Sequence, residues 1–169
     1  MIGICAMKIA LLWIGKTVAP YLTAAIGDYA KRLQFYTPFE VVEVAGLKNT
    51  KSLAQAQQRD KEGELLLRLL ESSDFVVLLD DKGRQPTSVE FAAWIEQRRR
   101  TASKRMVFVV GGAYGFSQAV YDRADSLLSL SRMTFSHQMV RLIFLEQLYR
   151  AHTIVAGEPY HHEDSLLKK

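Results

Sequence analysis

Residues 106–112, MVFVVGG, decide the fold. Five apolar residues, three of them valines, run without a polar break and stop at two glycines. A strand with one wet face alternates between apolar and polar side chains. An unbroken run is covered on both faces, which points to a parallel sheet between helical layers. The pattern recurs at Lys8–Ile14 (KIALLWI), ended by Gly15, and at 75–79 (FVVLL), closed by the turn-like Asp80-Asp81-Lys82-Gly83. Segments 39–45 (FEVVEVA, between Pro38 and Gly46) and 126–130 complete five strands.

Helical spacing fills the gaps between them. Leu22, Ala25, Ile26, Tyr29 and Leu33 predict a helix over 18–34, and a second covers 53–70 with Gly63 as its weak point. Thr87 or Ser88 caps a third, which runs through Phe91, Trp94 and Ile95 into Arg98-Arg99-Arg100. A short helix over 117–123 and a last one over 135–154 follow, the latter stopped by Gly157 and Pro159. Strands alternating with helices give the fold class α/β, a single domain with a mostly parallel sheet flanked by helices.

With 169 residues, 49% of them hydrophobic and 24% charged, the chain has material for one core and is too rich in Leu, Val and Phe to be disordered. Met7-Lys8 is the natural start of the first strand, so residues 1–6 read as an upstream extension, 7–162 as the domain and 163–169 as a C-terminal tail. The net charge of +4 suits a protein that meets a polyanion without requiring one. A single cysteine, Cys5, allows no internal disulfide and favours a reducing, cytoplasmic setting. The apolar start lacks a cleavage site, and no run approaches the roughly 18 residues of a membrane span.

In an open parallel sheet, ligands sit beyond the carboxyl ends of the strands. Three such ends stand out: Leu79-Asp80, Val110-Gly111-Gly112 and Leu130-Ser131-Arg132. The glycines of Gly111-Gly112-Ala113-Tyr114-Gly115 remove side chains where a ligand or a crossing backbone comes close; alone, they read first as a tight strand-to-helix turn. The spacing is neither GxGxxG nor a phosphate loop. Residues 129–141, SLSRMTFSHQMVR, set hydroxyls, an arginine, a histidine and a glutamine between a buried strand and a buried helix. Ser136 or Thr134 suits a helix N-cap, His137 and Gln138 an exposed first turn, and Arg141 shares a helix face with His137. Arg98-Arg99-Arg100 with Lys104-Arg105 reads as a solvated helix end, with phosphate contact as the alternative. The end GEPYHH (157–162) is either a frayed terminus or part of a site. His161-His162 has neither a cysteine partner nor HExxH spacing, so no metal is expected.

GGAYGFS (111–117), SLSRMTFSHQMVRLIFLEQLYRAHTI (129–154) and GEPYHH resemble the RlmH group of the SPOUT methyltransferases. The likeness extends from Met7 to His162 through KIALLWIGK (8–16) and FVVLLDDKGR (75–84), with Ser136 where the family commonly has proline. The resemblance implies transfer of a methyl group from S-adenosylmethionine to N3 of a pseudouridine in large-subunit (23S) ribosomal RNA, on assembled ribosomes. It also implies a C-terminal trefoil knot and a homodimer, with a cofactor pocket made by the knot loops. Carried over by position, that pocket uses Leu79, Gly111, Leu130, Ser131, Arg132, Met133, Thr134 and Phe135. Around the acceptor base we place His161 as proton acceptor, Tyr160 orienting the base, Arg141 on a phosphate or base carbonyl, and His137 nearby, with the tail able to act on the partner subunit's site. The nearly all-apolar helix over 137–153 suits threading or a dimer seam as well as an ordinary core. Two alternatives stand beside this reading: another SPOUT enzyme acting on tRNA, and a non-catalytic ribosome-associated factor. A Rossmann oxidoreductase is disfavoured, because only Gly15 follows the first strand where GxGxxG is needed.

Overall fold

The computed structural model describes residues 7–101 and 104–162; the extension 1–6, with Cys5, and the tail 163–169 lie outside the described residues. The order is β1 (Lys8–Ile14), α1 (Pro20–Leu33), β2 (Phe39–Val44), a 3-10 turn (Thr50–Ser52), α2 (Gln55–Leu67), β3 (Phe75–Arg84), α3 (Ser88–Arg100), β4 (Arg105–Val110), α4 (Gln118–Arg123), β5 (Ser126–Leu128) and α5 (Met139–Ala156). The strands form one parallel sheet in the order β2-β1-β4-β3-β5.

The unbroken apolar runs feed two cores. Ile9, Leu11, Trp13, Val77, Met106, Phe108 and Val110 point to the face covered by α1, α3 and α5. Ala10, Leu12, Ile14, Val76, Leu78, Val107 and Val109 point to the face covered by α2 and α4. Phe108 meets Phe144 of α5 at 4.6 Å between ring centres, and Phe91 of α3 packs edge-on against both. Burial of Phe144, Leu145 and Leu148 contributes roughly 1.5–3 kcal/mol each, enough to fix α5 on the sheet without help from propensity.

Local chemistry sets the ends of the helices. Pro20 starts α1, where its missing N–H costs nothing. Thr87 and Glu90 form a reciprocal capping box at α3: the Glu90 amide donates to Thr87 Oγ1 (3.2 Å) and the Thr87 amide to Glu90 Oε2 (2.7 Å). Gly157 closes α5 at φ +71°, with its amide bonded to Ile154 O and the Glu158 amide to Thr153 O.

Three local expectations change. The Asp80–Gly83 segment is not a turn after β3: the strand continues to Arg84 and resumes pairing with Leu128 after an irregularity beyond Leu79. Gly83 makes this fit, since a Cβ there would stand 2.5 Å from the Leu128 nitrogen. Gly63 is no weak point but the contact between α2 and the Ser117 cap of α4, with Ser117 Oγ 2.3 Å from where its Cβ would be. Helix α5 begins at Met139 rather than 135, so His137 precedes it and does not share a helix face with Arg141. Ser136 still accepts the Met139 amide (3.1 Å).

β5 lies beside β3 at one edge of the sheet, whereas the start of α5 is fastened beyond β4, at the end of β1. Gln138 Nε2 donates to Lys16 O (2.9 Å), and the Val18 amide donates to Gln138 Oε1 (2.8 Å). Residues 129–138 therefore cross the carboxyl ends of β3 and β4.

Candidate active site

That crossing encloses a cleft of about 380 Å³. Leu79, Asp80 and Asp81 form one wall, where β3 stops pairing with β4. Gly111, Gly112, Ala113, Gly115 and Phe116 form the second, and Ser129, Leu130, Ser131, Met133–His137 and Val140 the third. The size lies in the range of small-molecule sites, and the lining mixes apolar side chains with exposed backbone, as such sites do.

Each wall has a local cause. The Gly115 amide closes on Gly112 O (3.2 Å) with Gly115 at φ +76°, so the glycine segment is both a tight turn and a cleft wall. A Cβ on Gly111 would press on the Phe116 ring at 3.3 Å. The serines shape the crossing chain from within: Ser129 Oγ donates to Ser131 O (3.0 Å), and Ser131 Oγ accepts the Met133 amide (2.9 Å). Met133 is left 78% exposed, an apolar side chain that no described residue covers.

Of the residues expected to hold the cofactor, Leu79, Gly111, Leu130, Ser131, Met133, Thr134 and Phe135 line the cleft, and His137 lies on its rim. Arg132 does not line it and is exposed. Asp80, Asp81, Phe116 and Ser136 also line the cleft without being among the site residues that the sequence suggests, since the turn composition of 80–83 hides the strand that aims Asp80.

The three remaining candidates lie elsewhere. Arg141 is 1% exposed, so the contact with a phosphate or base carbonyl expected of it is corrected. Its guanidinium donates to Ile14 O (2.9 Å) and Thr17 Oγ1 (2.9 Å) and stacks over Trp13 at 4.8 Å. Burial draws its pKa down to about 10, partly opposed by Glu43. Together with Gln138 it pins the β1–α1 loop to the start of α5. Tyr160 and His161 pack on the α1–α5 face: the Tyr160 hydroxyl donates to Glu146 (3.1 Å) and lies 3.2 Å from that of Tyr29, while Arg150 donates to His161 Nδ1 (3.3 Å). Burial, the Tyr29 contact and Glu146 hold the Tyr160 phenol protonated far above neutrality. Neither residue lines the cleft of its own chain. The basic run is largely engaged as well: Arg99 and Arg100 pair with Glu96, Arg98 covers the Phe75 ring, and Arg105 grips Asp74 (2.6 Å).

A cleft at the carboxyl-end side of a parallel sheet, bordered by a chain that crosses it, lies where open α/β sheets take their ligands. The family model described as "Predicted SPOUT methyltransferase" matches residues 7–161. "Ribosomal RNA large subunit methyltransferase H" of Parabacteroides distasonis is 56% identical over 157 residues, which cover 93% of this chain and all of the relative. The proteins of the same name from Phocaeicola vulgatus and Christiangramia forsetii are 53% and 56% identical over 93% and 92% of this chain. The crystal structure of a tRNA methyltransferase from Aquifex aeolicus shares the fold at a TM-score of 0.52 and 14% identity, covering 94% of this chain and 75% of that one. The chain belongs to the SPOUT methyltransferase family, within its RlmH group. No described helix is long and apolar enough to cross a membrane.

Proposed function

We propose that the protein methylates N3 of a pseudouridine in 23S ribosomal RNA on the assembled ribosome, using S-adenosylmethionine. The cleft carries this reading. Its volume of about 380 Å³, the apolar walls Leu79, Leu130 and Phe135, and the glycine backbone suit a nucleoside. Identity of about half or more over the whole length of relatives named for large-subunit rRNA methylation supports the substrate class. When bound, S-adenosylmethionine supplies an activated methyl on a sulfonium. The chain's own residues then act by placement. Leu79, Leu130 and Phe135 would supply apolar walls for the adenine, the 131–135 backbone would offer it amides and carbonyls, and the cleft walls would orient the donor toward the nucleophile at low entropic cost. Gln138 and Arg141 hold the 134–140 wall from behind. A ribosomal substrate places the protein in the cytoplasm.

The acceptor half of the site is proposed to come from a second copy. α5 begins at the cleft, which Val140 lines, and ends at the tail, about 27 Å away for an 18-residue helix. Val18 (79% exposed), Tyr21 (68%) and Phe35 (89%) leave apolar surface along α1 beside it. Antiparallel pairing of two copies through this face covers that surface and sets each Tyr160-His161 beside the partner's cleft. There His161 accepts the N3 proton and Tyr160 orients the base. The crossing chain 129–138 is proposed to be the threaded part of a trefoil knot.

The test is mass mapping of rRNA nucleosides after incubating unmodified ribosomes with protein and labelled S-adenosylmethionine. A methyl on one large-subunit pseudouridine is the expected result; label confined to tRNA, or none, rejects it. Sedimentation at micromolar concentration should show a dimer, and His161→Ala should cut single-turnover methylation while leaving the cofactor affinity unchanged.

A further inference from the structure

The protein carries a net charge of +4, yet among the described residues no lysine or arginine lines the cleft. Its charged lining side chains, among the described residues, are Asp80 and Asp81. Asp80 is held rigidly: Tyr121 OH donates to its Oδ2, and the Lys82 amide donates to Oδ1 (2.9 Å). Burial and this bond push the Tyr121 phenol up to about 12, so it stays a donor throughout the neutral range. The neighbouring Lys82 ammonium is turned onto the Tyr121 ring (5.7 Å). A third carboxylate stands behind the opposite wall. Glu62 is 7% exposed, its Oε1 accepts from Gln58 (3.0 Å) and its Oε2 has no partner. That oxygen lies 2.4 Å from where a Cβ on Gly112 would be, directly behind a residue that lines the cleft.

We infer that the cleft selects its ligand by positive charge: Asp80, oriented by Tyr121 and reinforced by Glu62, favours the sulfonium form of the methyl donor over the neutral thioether left after transfer. The inference rests on the methyl-donor reading above. In the transfer the sulfur–methyl bond breaks, the N3–methyl bond forms, the bonding pair stays on sulfur and the N3 proton passes to a base, so the bound nucleoside loses one positive charge. Carboxylates in a half-enclosed cleft attract the first form and gain little from the second. The same residues thereby bias the exchange of spent for fresh donor. Asp80 acts here as a specificity-determining residue, and its effect is carried by charge rather than by shape.

Calorimetric titration of the full chain with S-adenosylmethionine and, separately, S-adenosylhomocysteine tests this. Asp80→Asn keeps the shape and removes the charge; it should lower the affinity for the sulfonium relative to the thioether by roughly fivefold or more. Asp80→Glu should retain the wild-type ratio, and Glu62→Gln should shift it in the same direction by less. In the wild type the ratio should also fall as salt is raised, which requires no variant to fold. Equal losses for both ligands in Asp80→Asn, or a ratio that neither substitution nor salt moves, overturns the charge inference and leaves the methyl-donor reading standing. A wild-type protein that binds neither nucleoside overturns both.

Discussion

The cleft and the α1–α5 face are built from opposite kinds of material. The cleft has walls of glycine, serine and the apolar side chains of Leu79, Phe116, Leu130 and Phe135, with the exposed Met133 at its mouth. The α1–α5 face is a mesh of rings: Tyr29 and Tyr36 pack edge-on against Tyr149, Tyr149 against Tyr160, and Tyr36 lies over His152. Apart from the buried His152 Nε2, its polar atoms find partners on the same face, such as Tyr160 on Glu146 and His161 on Arg150. One region leaves space and unused hydrogen-bonding groups for a ligand. The other is nearly self-satisfied and displays apolar surface, as a seam between subunits would. On the proposed reading, donor binding and base chemistry belong to different parts of one chain, and assembly of two copies is what would join them.

The severest way to break this contrast is at Gly83. Gly83→Ala drives a methyl into the Leu127–Leu128 backbone and should displace β5, costing about 3 kcal/mol or more and abolishing donor binding. Thermal unfolding and calorimetry read the two effects together; normal donor affinity would mean that β5 does not set the cleft. Arg141→Ala removes two hydrogen bonds and the stack on Trp13 and leaves Ile14 O unpaired, for an expected loss of about 2–4 kcal/mol. Donor affinity should weaken with it, because the 134–140 wall loses its anchor.

The aromatic face offers a sharper probe through His152. Burial, followed by the nearby Arg99 charge, lowers its pKa to about 4, and its Nε2 has no partner. The unfolded chain, with a histidine near 6.5, takes up the proton first as pH falls. Stability is therefore full above about pH 6.5 and is lost from there down to about pH 4, by about 2 kcal/mol at pH 5. His152→Phe, which keeps a ring against Tyr36, should flatten the unfolding midpoint over that window; an unchanged slope would assign the loss to other groups. The smallest effect is expected from Tyr160→Phe. It gives up two partly exposed hydrogen bonds, so stability should fall by no more than about 1 kcal/mol and donor affinity should hold. A drop in donor affinity would place the tail in its own cleft and erase the contrast.

Most of the fold was legible in the chain because burial on both sides writes itself as unbroken apolar runs. Lys8–Ile14 was bounded to the residue, and β4 to within one. Where reading failed, a distant partner was responsible. Asp80-Asp81-Lys82-Gly83 has turn composition, but it is drawn into β3 by β5, more than forty residues away in sequence. Residues 135–138 have helical composition, but Gln138 is taken by the β1–α1 loop, so the helix starts later.

The sequence by itself determined the class of fold, the three segments that line the cleft (though β3 runs on to Arg84 and β5 stops at Leu128) and, through its likeness to a family, the chemistry expected there. Local patterns and matched motifs carry that information without coordinates. Only the tertiary structure decided that Arg141 is an internal brace, that Tyr160 and His161 lie away from their own cleft, and that the cleft's charge is acidic in a basic chain. Each of these depends on which residues distant in sequence come within a few ångströms, and periodicity holds no record of that.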